Sequence, residues 1–104
     1  MRLRSAVVLI LFSSSCFLAA QSFDAKQQFK QKCAMCHGAD GKTPSILGKN
    51  LGSPDLSSDK VQKMSDKDLR EVLLHGKDRM PAYEKSLGEK NIDEMVKYVR
   101  GIKK

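Results

Sequence analysis

The stretch CAMCHG at residues 33–38 is the most specific pattern in this sequence, and RMPAY follows much later at residues 79–83. Cys33 and Cys36 are three positions apart, so on a helix their sulfurs leave the same face. Phe29 lies one turn earlier on that face, and His37 follows the second cysteine directly. Two thiols beside an imidazole can form a disulfide, bind a metal ion or hold a larger cofactor. The rest of the chain has to distinguish these three interpretations.

Residues 1–20 have the layout of a secretory signal peptide. Arg2 and Arg4 give a basic start, residues 6–12 are apolar, and small residues lead to Ala20. The apolar run is too short for a membrane span, which needs about 20 residues. We therefore expect cleavage near Ala20 and an exported, periplasmic protein. Lipid anchoring through Cys16, just after the apolar run, is the alternative.

Residues 21–104 are enough for one small domain. They carry 17 basic and 12 acidic residues, which are dispersed without a long basic run, so no nucleic-acid partner is expected. A diffuse positive field can still steer encounters with an acidic partner or an anionic membrane surface. A domain of this size buries only about 60% of its unfolded surface. A disulfide across two intervening residues would add little stability, so we expect the cysteines to hold a group that completes the core.

The apolar periodicity predicts an all-α domain. Helices are predicted over residues 23–36, from the N-cap Ser65 to Gly76, and over residues 89–102, with a short helical turn at residues 58–63. Residues 38–58 are rich in glycine and proline and are predicted to form a long loop, which in a small domain usually wraps something. The predicted core-facing residues are Val61, Met64, Leu69, Val72, Leu73, Ile92, Met95, Val96 and Val99.

Two interpretations of the cysteine pair fit the chain poorly. A structural zinc site needs four nitrogen or sulfur ligands, usually as two spaced pairs, and His75 is the only histidine besides His37. A thiol–disulfide enzyme would place its cysteines at a helix N-terminus within a βαβ unit. Here the pair lies at the predicted C-terminal end of a helix, and no βαβ pattern is present.

The spacing C-x-x-C-H is instead typical of covalent haem attachment. In this interpretation Cys33 and Cys36 form thioethers with the two vinyl groups of one porphyrin, and His37 binds the iron through Nε2. The Nδ1 proton of His37 should go to a backbone carbonyl in the following loop, which would raise the basicity of the ligand. Pro44 is the predicted source of that carbonyl.

Residues 22–104 resemble the small class I monohaem cytochromes c of bacteria. The resemblance lies in CAMCHGADGK at residues 33–42, GKNLGSPDL at 48–56, SDKDLREVLLHGK at 65–77, RMPAY and the last helix. It implies the cytochrome c fold around one covalent haem c, with the first and last helices crossing so that Phe29 meets Met95 and Tyr98. It also implies Met80, which precedes Pro81, as the second axial ligand of the iron.

Other side chains compete with Met80 for the ligand role. Met64 and Met95 fall on predicted apolar helix faces, where methionine usually fills the core. Met35 lies between the cysteines, and His75 lies near the end of a helix, where a lone histidine is more often a surface residue. Met80 lies outside any apolar period, and the next residue, a proline, restrains its loop.

The resemblance implies a one-electron carrier and not an enzyme. Ligation by His37 and Met80 would raise the reduction potential and leave no coordination position for a substrate. We expect a monomer that exchanges electrons with respiratory-type redox partners in short-lived contacts. The alternative is a haem-based small-ligand sensor, or a peroxidase-like protein, in which Met80 is labile. The donor, the acceptor and the haem propionate partners stay open, with Lys49 and Arg79 as candidates for the last.

Overall fold

The computed structural model describes residues 7–11, 13 and 22–103. Within these residues the chain forms seven helices and no strand; a single isolated bridge joins Lys77 and Met80. The helices are α1 (Ala25–Lys32), α2 (Ala34–His37), α3 (Ile46–Leu51), α4 (Asp59–Gln62), α5 (Asp66–His75), α6 (Glu84–Leu87) and α7 (Glu89–Arg100). This confirms the predicted all-α class.

The predicted signal peptide falls mostly outside the described residues, and both Ala20 and Cys16 lie there. Residues 7–11 are exposed and form no regular secondary structure. No helix in the described part of the chain is long and apolar enough to cross a membrane.

The helix predicted over residues 23–36 is observed as α1 and α2, with a break at Cys33. Asp24 caps α1, since its carboxylate accepts a hydrogen bond of 3.2 Å from the Gln27 N–H. At Cys33 the backbone takes φ −111°, and its carbonyl accepts from the N–H groups of Cys36 and His37 at 3.1 and 2.9 Å. The break thus gives the cysteine motif a short helix of its own.

The long loop predicted over residues 38–58 contains a helix, so this part of the prediction was wrong. Ser45 caps α3, because its Oγ accepts from the Gly48 N–H at 3.0 Å. The same residue joins α3 to the cysteine motif: Oγ donates to the Met35 carbonyl at 2.5 Å, and the N–H donates to the Cys36 carbonyl at 3.1 Å. A helix of only six residues with two glycines nearby has no visible apolar period, and its packing on α2 stabilises it.

Gly48 allows α3 to approach this motif closely. A Cβ atom at position 48 would lie 1.8 Å from the Cys36 carbonyl oxygen, and backbone cannot move aside as a side chain can. We expect Gly48→Ala to lower the free energy of unfolding by about 3 kcal/mol, as overpacking does, when it is measured in urea.

The matched control for this prediction is Gly52→Ala at the other end of α3. A Cβ there would meet no described atom within 4 Å, so only the left-handed φ of +78° is strained. That strain costs about 1 kcal/mol. Equal losses in the two variants would contradict the packing argument.

Two serines confirm the predicted starts of α4 and α5. Ser58 Oγ accepts from the Val61 N–H at 3.4 Å, and Ser65 Oγ accepts from the Asp68 N–H at 3.0 Å. α5 ends at Gly76 as predicted. It buries Leu69, Leu73 and, in addition, Leu74, whereas Val72 is half-buried. The short helix α6 was not predicted.

The last helix, α7, closes the core against α1 and α5. All four residues predicted on its apolar face, Ile92, Met95, Val96 and Val99, are buried. The rings of Phe29 and Tyr98 lie 5.1 Å apart between centroids at an interplanar angle of 41°. This confirms the predicted contact between the first and last helices, and Met95 belongs to the same buried cluster.

Candidate cofactor site

The helices enclose an apolar cavity of about 580 Å³, within the range of small-molecule sites, about 300–1,000 Å³. Four of the residues predicted for the site line it together: Cys33, Cys36, His37 and Met80. Its apolar walls include Phe29, Leu51, Leu56, Val61, Leu69, Val72, Leu73 and Val96. The structure therefore brings the cysteine motif and Met80, from the loop before α6, to the wall of the same cavity.

The cysteines are free thiols, and no disulfide joins them. Burial raises the pKa of Cys33 to about 11, so its thiol is protonated at neutral pH and is a weak redox nucleophile. Among the described residues, no group of three His, Cys, Asp or Glu side chains could hold a metal ion. The geometry thus favours neither the disulfide interpretation nor the zinc interpretation.

His37 has the surroundings expected of a neutral metal ligand. Burial lowers its pKa, and the backbone of Pro54 raises it in part. The imidazole is therefore neutral near pH 7, the form that binds metals. Its Nδ1 is buried and makes no hydrogen bond of ordinary geometry within the described chain. Buried polar atoms rarely lack partners, so an orphaned imidazole nitrogen at a cavity wall fits a residue whose orientation is completed by a bound group.

The structure does not join Pro44 to His37, contrary to the sequence-based prediction. Pro54 lines the cavity with His37, and its backbone is the one that acts on the imidazole; Pro44 is not among the lining residues. Ser45 starts α3 against the Cys36 carbonyl, and Pro54 follows the end of this helix. The stretch GSPDL at residues 52–56 was the sequence signal for Pro54.

Met80 lies in a tight turn between α5 and α6. Lys77 N–H donates to the Met80 carbonyl at 3.1 Å, and Met80 N–H donates to the Lys77 carbonyl at 2.9 Å. Asp78 takes a φ of +52° in the left-handed region that the turn requires. Gly76 is also required, because a Cβ atom there would lie 2.4 Å from the Met80 carbonyl oxygen. These contacts fix the half-buried Met80 at the wall of the cavity.

Tyr83, which the sequence analysis did not select, joins the Met80 loop to both sides of the site. Its N–H donates to the Leu73 carbonyl at 2.9 Å, and its hydroxyl donates to the Lys32 carbonyl at 3.2 Å, next to Cys33. Burial raises the pKa of the phenol, so the hydroxyl stays a donor. Its place three residues after Met80 in RMPAY was the available signal.

The rival ligands differ in their access to the cavity. His75 is exposed and does not line it. Met35, Met64 and Met95 do line it, so access alone does not select Met80. Met95 is fixed in the core on α7, and Met35 is mostly exposed. Met64 lies between α4 and α5 and not on a helix face, which makes it the most direct structural rival.

Comparisons with known proteins show the family to which this chain belongs. The family described as cytochrome c oxidase, cbb3-type, subunit III, matches residues 22–99. Cytochrome c6 of Nostoc sp. is 33% identical over 96 residues, which are 91% of this chain and 84% of that protein. The chain belongs to the c-type cytochromes. Cytochrome c-555 of Methylococcus capsulatus is 31% identical to this cytochrome over 74 residues, which are 69% of this chain and 54% of that protein.

Solved structures confirm the fold of this c-type cytochrome. The KustC0563 c-type cytochrome matches with a TM-score of 0.73 and 32% identity over 79% of this chain and 100% of that chain. The c-type cytochrome NirC matches with a TM-score of 0.60 over 74% of this chain and 85% of that chain; at 19% identity it shows the fold alone.

Membership of this family implies one covalently attached haem c with its iron. The residues present fit that group: two free thiols and a neutral imidazole with an orphaned Nδ1 lie at one apolar cavity.

Proposed function

We propose that this cytochrome is a one-electron carrier and not an enzyme. The observation that supports the proposal most strongly is the meeting of Cys33, Cys36, His37 and Met80 at one apolar cavity. Haem bound there supplies a one-electron couple at its iron. In this proposal Cys33 and Cys36 hold the haem through thioether bonds, and His37 and Met80 are its axial ligands.

Each of these residues then has a definite task. With haem bound, His37 would hold the iron through Nε2 and would donate from Nδ1 to the Pro54 carbonyl, which would keep the imidazole basic and its ring oriented. Met80 offers a soft, neutral sulfur, which raises the potential relative to a second histidine. With both His37 and Met80 bound to the iron, no coordination position would be left for a substrate. Apolar walls such as Leu69 and Val96 keep water from the site.

The exposed apolar residues around the cysteine motif offer a face for redox partners. Met35, Ile46 and Leu47 are 66%, 82% and 45% exposed. Met35 and Leu47 also line the cavity, so this face adjoins the haem site. Lys49 lies on α3 with Leu47, and Lys32 lines the cavity with Met35, so this face carries positive charge. We therefore assign this face to acidic redox proteins, with small and short-lived contacts.

Reversing one charge on this face should slow electron transfer to an acidic partner. We expect Lys49→Glu to lower the second-order rate with an acidic blue-copper protein by about fivefold at low ionic strength, because electrostatic steering weakens. Stopped-flow absorbance measures this rate. The matched control is Lys90→Glu on α7, which changes the net charge equally and should alter the rate by less than about twofold. If the two variants slow the reaction equally, the net charge of the protein and not the charge of this face controls the rate.

A carrier differs from the alternative, a small-ligand sensor or peroxidase-like protein with a labile Met80, in its response to carbon monoxide. The visible spectrum of the reduced carrier should not change when the gas is added, and a potentiometric titration should fit a single reversible one-electron step. A large spectral shift with carbon monoxide would favour the alternative.

We also propose that residues 1–20 are removed on export to the periplasm and that residues 21–104 act as a monomeric cytochrome c domain. Intact mass spectrometry of the protein from its native host tests this. The expected mass is that of residues 21–104 plus one haem, whereas a lipid-modified chain that begins at Cys16 would contradict it.

A further inference from the structure

Gln62 lies at the end of α4 and does not line the cavity, yet its side-chain amide joins two separate parts of the fold. Nε2 lies 2.7, 3.1 and 3.2 Å from the carbonyl oxygens of Leu56, Val99 and Ile102, so its two N–H groups are shared among three acceptors. Val99 lies in the last turn of α7 and Ile102 lies two residues beyond its end, where carbonyls lack partners within the helix. Leu56 lies in the loop that follows α3. One amide thus links the terminal helix to this loop.

The loop held by Gln62 carries Pro54, which lines the cavity with His37. Leu56 follows Pro54 by two residues. The Leu56 N–H donates to the Gly41 carbonyl at 2.8 Å, and the Leu56 carbonyl accepts from Gln62. Both polar backbone groups of this buried residue are therefore hydrogen-bonded. Gly41 follows the cysteine motif closely. Together these bonds fix the path of the chain at Pro54 relative to His37.

We propose that Gln62 is a positioning residue that acts through Leu56 and Pro54 on His37 and thereby lowers the reduction potential of the iron. The proposal rests on two parts of the proposed function, the axial role of His37 and its Nδ1 hydrogen bond to the Pro54 carbonyl. A hydrogen bond from Nδ1 to a carbonyl makes an imidazole more basic, and a more basic ligand favours ferric iron. When Gln62 no longer holds the loop, the Nδ1 bond weakens and the potential rises.

The competing interpretation is that Gln62 only stabilises the packing of the end of α7. Arg100 provides the matched control, because it also joins α7 to the end of α4 but makes no hydrogen bond to the loop at Leu56. Its guanidinium donates to the Gln62 carbonyl at 2.7 Å, to the Met64 carbonyl, and to the Asp66 carboxylate at 2.7 Å. Loss of Arg100 should therefore weaken the packing of α7 and leave Pro54 in place.

The experiment compares Gln62→Met with Arg100→Met in the full, haem-loaded protein. It measures the reduction potential, the solvent exchange of the His37 Nδ1 proton in the ¹⁵N-labelled reduced protein, and urea unfolding. Both variants should lose stability. Gln62→Met alone should raise the potential and speed the exchange of this proton at least tenfold. If Gln62→Met does not fold, Gln62→Asn, which is shorter by one methylene, should shift both quantities in the same direction.

Three outcomes would overturn the proposal. The Gln62 variant could keep the wild-type reduction potential and the wild-type exchange of the His37 Nδ1 proton, or the Gln62 and Arg100 variants could change equally. In either case Gln62 would only stabilise the fold. A His37 Nδ1 proton without a haem-induced shift in the wild-type protein would overturn the axial role of His37 and this proposal with it. The first two outcomes leave the proposed function intact, so the two failures are distinguishable.

Discussion

Replacing both cysteines with serine should give a chain that does not fold. In Cys33→Ser/Cys36→Ser no covalent haem would fill the cavity of about 580 Å³. The apolar walls of this open cavity would then face water, and a small domain has only about 5–15 kcal/mol of stability to lose. The far-UV circular dichroism of the variant, expressed with the haem-attachment machinery, should lack the helical signal of the wild-type protein.

A single replacement is the control for this prediction. Cys36→Ser keeps the buried Cys33 as one attachment point, so the variant should retain haem and helical structure with reduced stability. A haem-free double variant that is helical and unfolds cooperatively would contradict the view that haem completes the core.

Replacing Met80 with alanine should abolish the sulfur-to-iron charge-transfer band of the oxidised protein. The loss of a neutral thioether ligand should also lower the potential by on the order of 0.1 V, a fraction of the roughly 0.8 V over which axial ligands tune haem. It opens a coordination position, so the reduced variant should bind carbon monoxide while the wild-type protein does not. Visible absorption spectroscopy and potentiometry measure these effects.

Met64→Leu is the matched control, since Met64 also lines the cavity and leucine has a similar volume. This variant should keep the band, the potential and the insensitivity to carbon monoxide. A band that survives in Met80→Ala and disappears in Met64→Leu would transfer the ligand role to Met64.

The parts of the fold with a strong local signal could be predicted from the sequence. The apolar face of α7 repeats over three turns, and Ser65 marks the start of α5, so both helices were predicted to within two residues. The cysteine motif predicted the centre of the site for a similar reason: its chemistry depends on spacing within one helical turn.

The parts that depend on tertiary packing could not be predicted in this way. α3 is short, and Ser45 holds it against the carbonyls of Met35 and Cys36, so its stability comes from contacts and not from a repeating pattern. The same helix changes the path of the chain, which is why Pro54 and not Pro44 lines the cavity with His37. The hydroxyl of Tyr83 forms its hydrogen bond with the backbone of Lys32, 51 positions away, and no local sequence pattern reveals such a contact.

The ligation of the haem is the central claim, and NMR of the methionine methyl groups tests it most directly. With ¹³C-methyl labelling, the reduced protein should show one methyl resonance moved far upfield by the ring current of the haem. That resonance should be absent from Met80→Leu and present in Met64→Leu, while Met35 and Met95 stay near ordinary shifts. An upfield methyl that persists in Met80→Leu, or a wild-type spectrum without one, would contradict the account.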